Sequence, residues 1–276
     1  MSIFLRPDQS DEPPFPAYTL ARSEMRVLEP TAEGRHYQLM VGLPPSYAEN
    51  SDRVYPVVYV TDGYWDFLKM TNAHGGLVYD KVVPEFIVVG LSYAGENLNY
   101  GQMRGWELSP VAMNGNPATG HADMFLATIK DVIIPFIESE YRADPSYRVM
   151  AGASLGGLFT LYAMYSEPEL FQACIAATPA VVVGDDWLLK YEAQFAASGR
   201  PLPVRLFASG GGNESPTFLS GILRFNSRAA NSDYAGFDYQ FRIIDGERHA
   251  GMQIESYTRG LRFAFEPLAP ETGPSQ

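Results

Sequence analysis

Disulfide and zinc chemistry are the first things this chain is poorly equipped for. Cys174 is its single cysteine, so no intrachain disulfide forms and bridges say nothing of the redox compartment. It lies in the apolar run "FQACIAATPA", where a free cysteine behaves as a small hydrophobe. The four histidines, His36, His74, His121 and His249, stand far apart without ligand spacing, so no metal site is expected. Hydrophobic residues make up 46% of the chain, yet no apolar run is long enough to span a bilayer. Positive charge is also scarce. Twenty Lys and Arg against 32 Asp and Glu leave a formal charge of -12, a sign that repels phosphate backbones and anionic lipid. Nucleic acid and membrane surfaces are therefore not expected partners, and a homo-oligomer is left open. The first residues show no basic-then-apolar leader pattern, which gives a cytoplasmic expectation.

What is present is an alternation of strands and helices. Short runs rich in Val, Ile and Tyr read as buried strands: Tyr55 to Thr61, Phe86 to Ser92, Tyr147 to Ala153, Ala173 to Pro179, Val204 to Gly210 and Phe237 to Ile244. Continuous apolar strands suit a mostly parallel sheet with helices on both faces. Helical patterns fall at Ala122 to Tyr141, Leu155 to Tyr165, Pro216 to Ala230 and His249 to Phe265. Two earlier segments, "EMRVLEP" and "HYQLMVGLP", look like an antiparallel lead-in hairpin. The 276 residues accommodate one α/β domain over 23–268, preceded by an extended arm over 1–22 and followed by a tail over 269–276. Two stretches break the pattern, 93–120 and 181–201. Both follow strand ends, on the side where open α/β sheets bind ligands, and both are expected to be rim loops.

Gly152-Ala153-Ser154-Leu155-Gly156 is a Gly-x-Ser-x-Gly pattern, which chance alone supplies in roughly one chain in ten of this length, so context decides its meaning. A strand precedes it and a helix follows, the setting of a nucleophile elbow. The glycines two residues either side let the backbone crowd a strained serine, and the helix N-terminus behind it suits a developing oxyanion. The competing reading is a serine N-cap in a plain strand-to-helix turn. For this arrangement the chain order is serine, acid, histidine. Only His249 lies downstream of Ser154. Glu214, just past the strand "VRLFASG" and a glycine run, is the preferred acid over Asp233, Asp238 and Asp245. The oxyanion hole is expected from the backbone N–H groups of Leu155 and of Tyr64, the latter after the strand ending "VVYVTDG". Aromatic residues in the rim segments, Tyr93, Tyr100, Trp106 and Trp187, could contact an aryl or sugar acyl group, with packing onto the core as the alternative.

Several blocks together, "YPVVYVTDGYWDF", "FIVVGLSY", "RGWELSP", "IIPFIESEYRADPSYRVMAGASLGGLFTLYAMYSEPELF", "GGGNES" and "GERHAG", resemble an esterase family of α/β-hydrolases. That family includes siderophore trilactone esterases, S-formylglutathione hydrolases and mycolyltransferases. The resemblance implies the α/β-hydrolase fold and a serine esterase with Ser154, Glu214 and His249 as triad, needing no metal or organic cofactor. It also implies a substrate-side role for Arg104, against which stands a structural salt bridge. Thr178 departs from the family, which often carries a serine there. The expected partner is a small-molecule ester. Acyl transfer to an acceptor other than water, and a hydrolase scaffold kept for binding alone, are the competing functions.

Overall fold

A computed structural model describes residues 18–269, residue 33 excepted. Most of the expected N-terminal arm, 1–17, and of the tail, 270–276, lies outside the described residues. Eight strands form one sheet: β1 (Ser23–Val27), β2 (Tyr37–Gly42), β3 (Tyr55–Val60), β4 (Ile87–Tyr93), β5 (Ala143–Ala153), β6 (Ala173–Ala177), β7 (Arg205–Gly211) and β8 (Asp238–Ile244). Their order is β1-β2-β4-β3-β5-β6-β7-β8. The lead-in hairpin pairs β1 with β2, and β2 with β4, antiparallel; the other five neighbours are parallel. This is the mostly parallel sheet that the apolar runs imply.

Alternation along each strand explains why the sheet is covered twice. In β3, Tyr55, Val57 and Tyr59 enter one core while Val58 and Val60 enter the other. Side chains of a strand point alternately to opposite faces, so a continuous apolar run must be buried on both. Helices α1 (Gly63–Tyr79) and α8 (Gln253–Ala264) cover one face through Phe67, Met70, Tyr257 and Leu261. The other face carries α3 (Ala122–Thr128), α4 (Ile134–Glu140), α5 (Leu155–Ser166), α6 (Trp187–Ala197) and α7 (Pro216–Ala230), with Phe125, Phe159, Leu188 and Phe225 among its core. Cys174 is buried in β6, and the surrounding apolar core pushes its thiol pKa up.

Three elements differ from the sequence reading. The helix expected from Ala122 to Tyr141 is interrupted by a π turn, Ile129–Ile133, between α3 and α4. Pro135, in the first turn of α4, lacks the N–H that would continue the ladder, and its ring crowds the carbonyl four residues back. The helix expected from His249 begins only at Gln253, leaving His249 in the preceding turn. The rim segment 93–120 is not wholly irregular, because it holds α2 (Tyr100–Glu107), capped where Asn99 accepts the Gln102 N–H at 3.1 Å.

Candidate active site

The parallel strands β5, β6, β7 and β8 all end at the same edge of the sheet, and the chemistry-bearing residues sit in the turns that follow. Ser154 joins β5 to α5 with φ 60° and ψ −118°. A non-glycine residue held there stores about 1–3 kcal/mol of backbone strain. The conformation is fixed from both sides: its N–H donates to the Ala177 carbonyl at 3.0 Å, and its carbonyl accepts from Leu158 N and Ala180 N, each at 3.0 Å. The Ser154 side chain makes no capping bond to α5, so the plain N-cap reading fails. Both flanking glycines are required by contact. A Cβ on Gly152 would collide with the backbone of Gly156, and a Cβ on Gly156 would collide with the Thr61 hydroxyl. That hydroxyl is buried and has no hydrogen-bond partner among the described residues.

His249 lies between β8 and α8. Its Nδ1 is 3.0 Å from Glu214 Oε1 and 3.2 Å from Oε2. A carboxylate on that side calls for a proton on Nδ1, which leaves the Nε2 lone pair free as an acceptor. Phe218 on α7 meets the imidazole edge-to-face at 4.8 Å. Glu214 is almost fully buried, its side chain 4% exposed against 39% for His249. The acid loop is tied to the histidine loop through Asn213, whose N–H donates to Glu247 O at 2.8 Å and whose side-chain amide donates to Gly246 O at 2.9 Å. Thr178, just past β6, donates its hydroxyl to Glu214 Oε1 and lies 3.4 Å from His249 Nδ1. Its φ of 41° turns it into this position, held by its N–H to Ser209 O at 2.8 Å. Of the competing acids, Asp238 is instead paired with Arg205 at 2.6 Å.

Ser154 and His249 line one cleft of about 130 Å³ together with Asp62, Trp65, Asp66, Arg104 and Gln253. Tyr64 is the second residue of α1, and Leu155 is the first of α5. Backbone N–H groups in a first helical turn have no carbonyl four residues back to bind. Arg104, on α2, donates from Nε to Asp62 Oδ1 at 2.6 Å and from Nη2 to Oδ2 at 3.1 Å. Burial raises the Asp62 carboxyl pKa against the pull of the guanidinium. Arg104 thus both forms a salt bridge and lines the cleft.

Trp106 and Trp187 do not line this cleft. Trp106 packs against the Arg35 guanidinium at 3.8 Å and His121 at 4.8 Å, and Trp187 stacks on Tyr191 at 4.8 Å. Tyr100 stacks on Tyr64 at 3.9 Å, while Tyr93 is buried in the core. Trp65, Asp66 and Gln253 also line the cleft and are not among the site residues expected from sequence. Trp65 is 62% exposed at the mouth. Asp66 follows Asp62 by one helical turn, the only signal that could have placed it on the same face.

Comparison with known proteins agrees with this architecture. The family model described as "Putative esterase" matches residues 31–214. The chain is similar to the ferri-bacillibactin esterase BesA of Bacillus subtilis, with 26% identity over 271 residues covering 92% of this chain and 93% of that protein. It is also similar to the siderophore enterobactin esterase of Emericella nidulans, with 27% identity over 162 residues, 52% of this chain and 54% of that one. Among solved structures, the BES protein from Bacillus cereus superposes with a TM-score of 0.82 at 24% identity, covering 92% of this chain and 99% of that one. The siderophore hydrolase EstB from Aspergillus nidulans gives 0.80 at 22%, covering 93% and 100%. With its strand order, its elbow turn and a family match over most of its length, the chain belongs to this esterase family, carboxylic-ester hydrolases of the α/β-hydrolase fold.

Proposed function

We propose that the protein hydrolyses a small-molecule ester or lactone through an acyl-enzyme on Ser154. The observation that carries this reading is the shared cleft: a serine on a strained elbow, and a histidine whose far nitrogen is held by a buried carboxylate. His249 Nε2 takes the hydroxyl proton as Ser154 Oγ attacks the carbonyl carbon. Glu214 holds the imidazole in the Nδ1–H form and stabilises the cation that results, without taking the proton itself. The N–H groups of Tyr64 and Leu155 receive the developing oxyanion, and each such donor contributes about 10²–10³ in rate in serine hydrolases. Collapse of the tetrahedral intermediate expels the alcohol, which His249 protonates. Water, deprotonated by His249, then attacks the acyl-enzyme and frees Ser154.

The relatives named as siderophore esterases favour a siderophore-type ester or lactone as substrate, and Arg104 at the cleft wall is a candidate donor to it. Aryl and sugar esters are the other substrate classes compatible with the open, tryptophan-flanked mouth. Among the described residues no helix is long and apolar enough to cross a membrane. Labelling with a fluorophosphonate followed by peptide mass mapping tests the nucleophile: the adduct is expected on Ser154, and an unlabelled Ser154 in folded protein would overturn the assignment.

A further inference from the structure

The charges around Ser154 constrain which esters the cleft accepts. Among the described residues, Arg104 is the one cation lining it, beside two carboxylates, Asp62 and Asp66. Its charge is already matched, because Nε and Nη2 hold both oxygens of Asp62 at 2.6 and 3.1 Å. The Asp62 side chain is 5% exposed and that of Arg104 is 22%, so water and salt screen the pair poorly. Lys69, on the same helix as Asp66, is shared between Asp66 Oδ1 and Gln253 Oε1, each 2.6 Å away. The second Asp66 oxygen accepts from the Tyr257 hydroxyl at 2.5 Å. Glu214 adds a further carboxylate behind His249. Arg248 lies outside the cleft lining, in an adjoining groove that shares His249 with the cleft and is lined also by Asn213, Glu214, Ser215 and Phe218. Among the described residues, no cation that lines the cleft itself is left to meet an anion.

A guanidinium carries five N–H donors, and two are used on Asp62. The remaining three can serve a carbonyl, ether or hydroxyl oxygen without disturbing the pair. A carboxylate on those same N–H groups would add a further negative charge beside Asp62 and Asp66, with the guanidinium charge already matched. Resting on the esterase reading, we propose that the cleft selects esters uncharged in the part that enters it, and that Asp62 sets this selectivity by neutralising Arg104. Asp62 also starts α1 in the left-handed conformation, at φ 55°, which asparagine tolerates. Asp62→Asn therefore removes the charge without asking for a new backbone shape.

The test uses two p-nitrophenyl esters of adipic acid, one with its second carboxyl free and one with that carboxyl methylated, so the leaving group is constant. At low ionic strength kcat/KM for the methylated ester should exceed that for the free carboxylate by about tenfold or more, and added salt should narrow the gap. Asp62→Asn should close or reverse the gap, because Arg104 is then unmatched. Arg104→Gln is the second variant and should widen it, because Asp62 is then uncompensated. Equal kcat/KM for the two esters, a carboxylate rate that falls with salt, or a gap unmoved in both folded variants would overturn the proposal. The corresponding p-nitroanilides, bound to Ser154→Ala and measured by calorimetry, separate this from the esterase reading. Tighter binding of the uncharged anilide upholds the selectivity even where neither ester is turned over, and equal binding rejects it.

Discussion

Thr178 donates its hydroxyl proton to Oε1 of Glu214, the same oxygen that lies 3.0 Å from His249 Nδ1. Thr178 is fully buried and the Glu214 side chain is 4% exposed, so the bond lies largely out of bulk solvent. Thr178→Val keeps the branched shape and removes the hydroxyl. Loss of a hydrogen bond to a buried carboxylate costs about 1.5–3 kcal/mol. We expect kcat to fall by roughly tenfold, with KM little changed, because a misplaced Glu214 weakens the hold on the imidazole. Thr178→Ser should recover most of the rate. Steady-state kinetics on the two variants, with folding checked by circular dichroism, decides the matter. A valine variant as fast as the parent would show that Glu214 needs no such anchor.

Gly156 faces the Thr61 side chain so closely that any Cβ there overlaps it. Gly156→Ala is expected to destabilise the protein by about 1–3 kcal/mol, the range for overpacking a tight core, and to displace the start of α5. Thr61→Ala alone should be close to neutral, since its buried hydroxyl has no partner to lose. The double variant should regain part of the stability lost in Gly156→Ala. Denaturant melts of the two singles and the double measure the coupling, and strict additivity would contradict the contact.

Glu107, at the end of α2, is fully buried and accepts from the Tyr37 hydroxyl at 2.9 Å. Burial, opposed by hydrogen bonds from Tyr93 and Tyr37, pushes its carboxyl up to about 7. A raised folded-state value means that the folded protein keeps this proton while the unfolded chain loses it. Stability therefore falls as pH rises from the ordinary value of 4.5 towards 7, by up to roughly 3 kcal/mol, and levels off above. Glu107→Gln should flatten this part of the profile. The difference in melting temperature between variant and parent, followed from pH 5 to pH 8, should grow in favour of glutamine; a constant difference would contradict the assignment.

The elbow was the most legible feature of the sequence because its physics is local: a strand, two glycines and a helix occupy one short stretch around Ser154. The choice of acid was less legible. Glu214, Asp233, Asp238 and Asp245 all follow Ser154, and their separation depends on tertiary contacts such as Asn213 with Gly246 and Asp238 with Arg205. Helix α2 was hidden because Gly101 and Gly105 weaken its propensity, and its stability comes from the Asn99 cap and from packing. The tryptophans illustrate the converse difficulty. Position in a rim segment suggests contact with substrate, but Trp106 and Trp187 satisfy their rings against Arg35, His121 and Tyr191. The cleft wall came instead from Asp62, Trp65 and Asp66, residues whose role depends on how α1 sits beside the elbow.

In the proposed reaction Ser154 carries the acyl group and His249 moves its proton. Pre-steady-state turnover of p-nitrophenyl acetate, with intact-protein mass measured during the reaction, tests it most directly. The parent should show an acetyl adduct that maps to Ser154. Ser154→Ala should lose the adduct and about 10⁴–10⁶ of the rate while keeping its fold, and His249→Ala should lose a comparable fraction. Turnover by folded Ser154→Ala at the parent rate, or an adduct on another residue, would rule out Ser154 as the nucleophile.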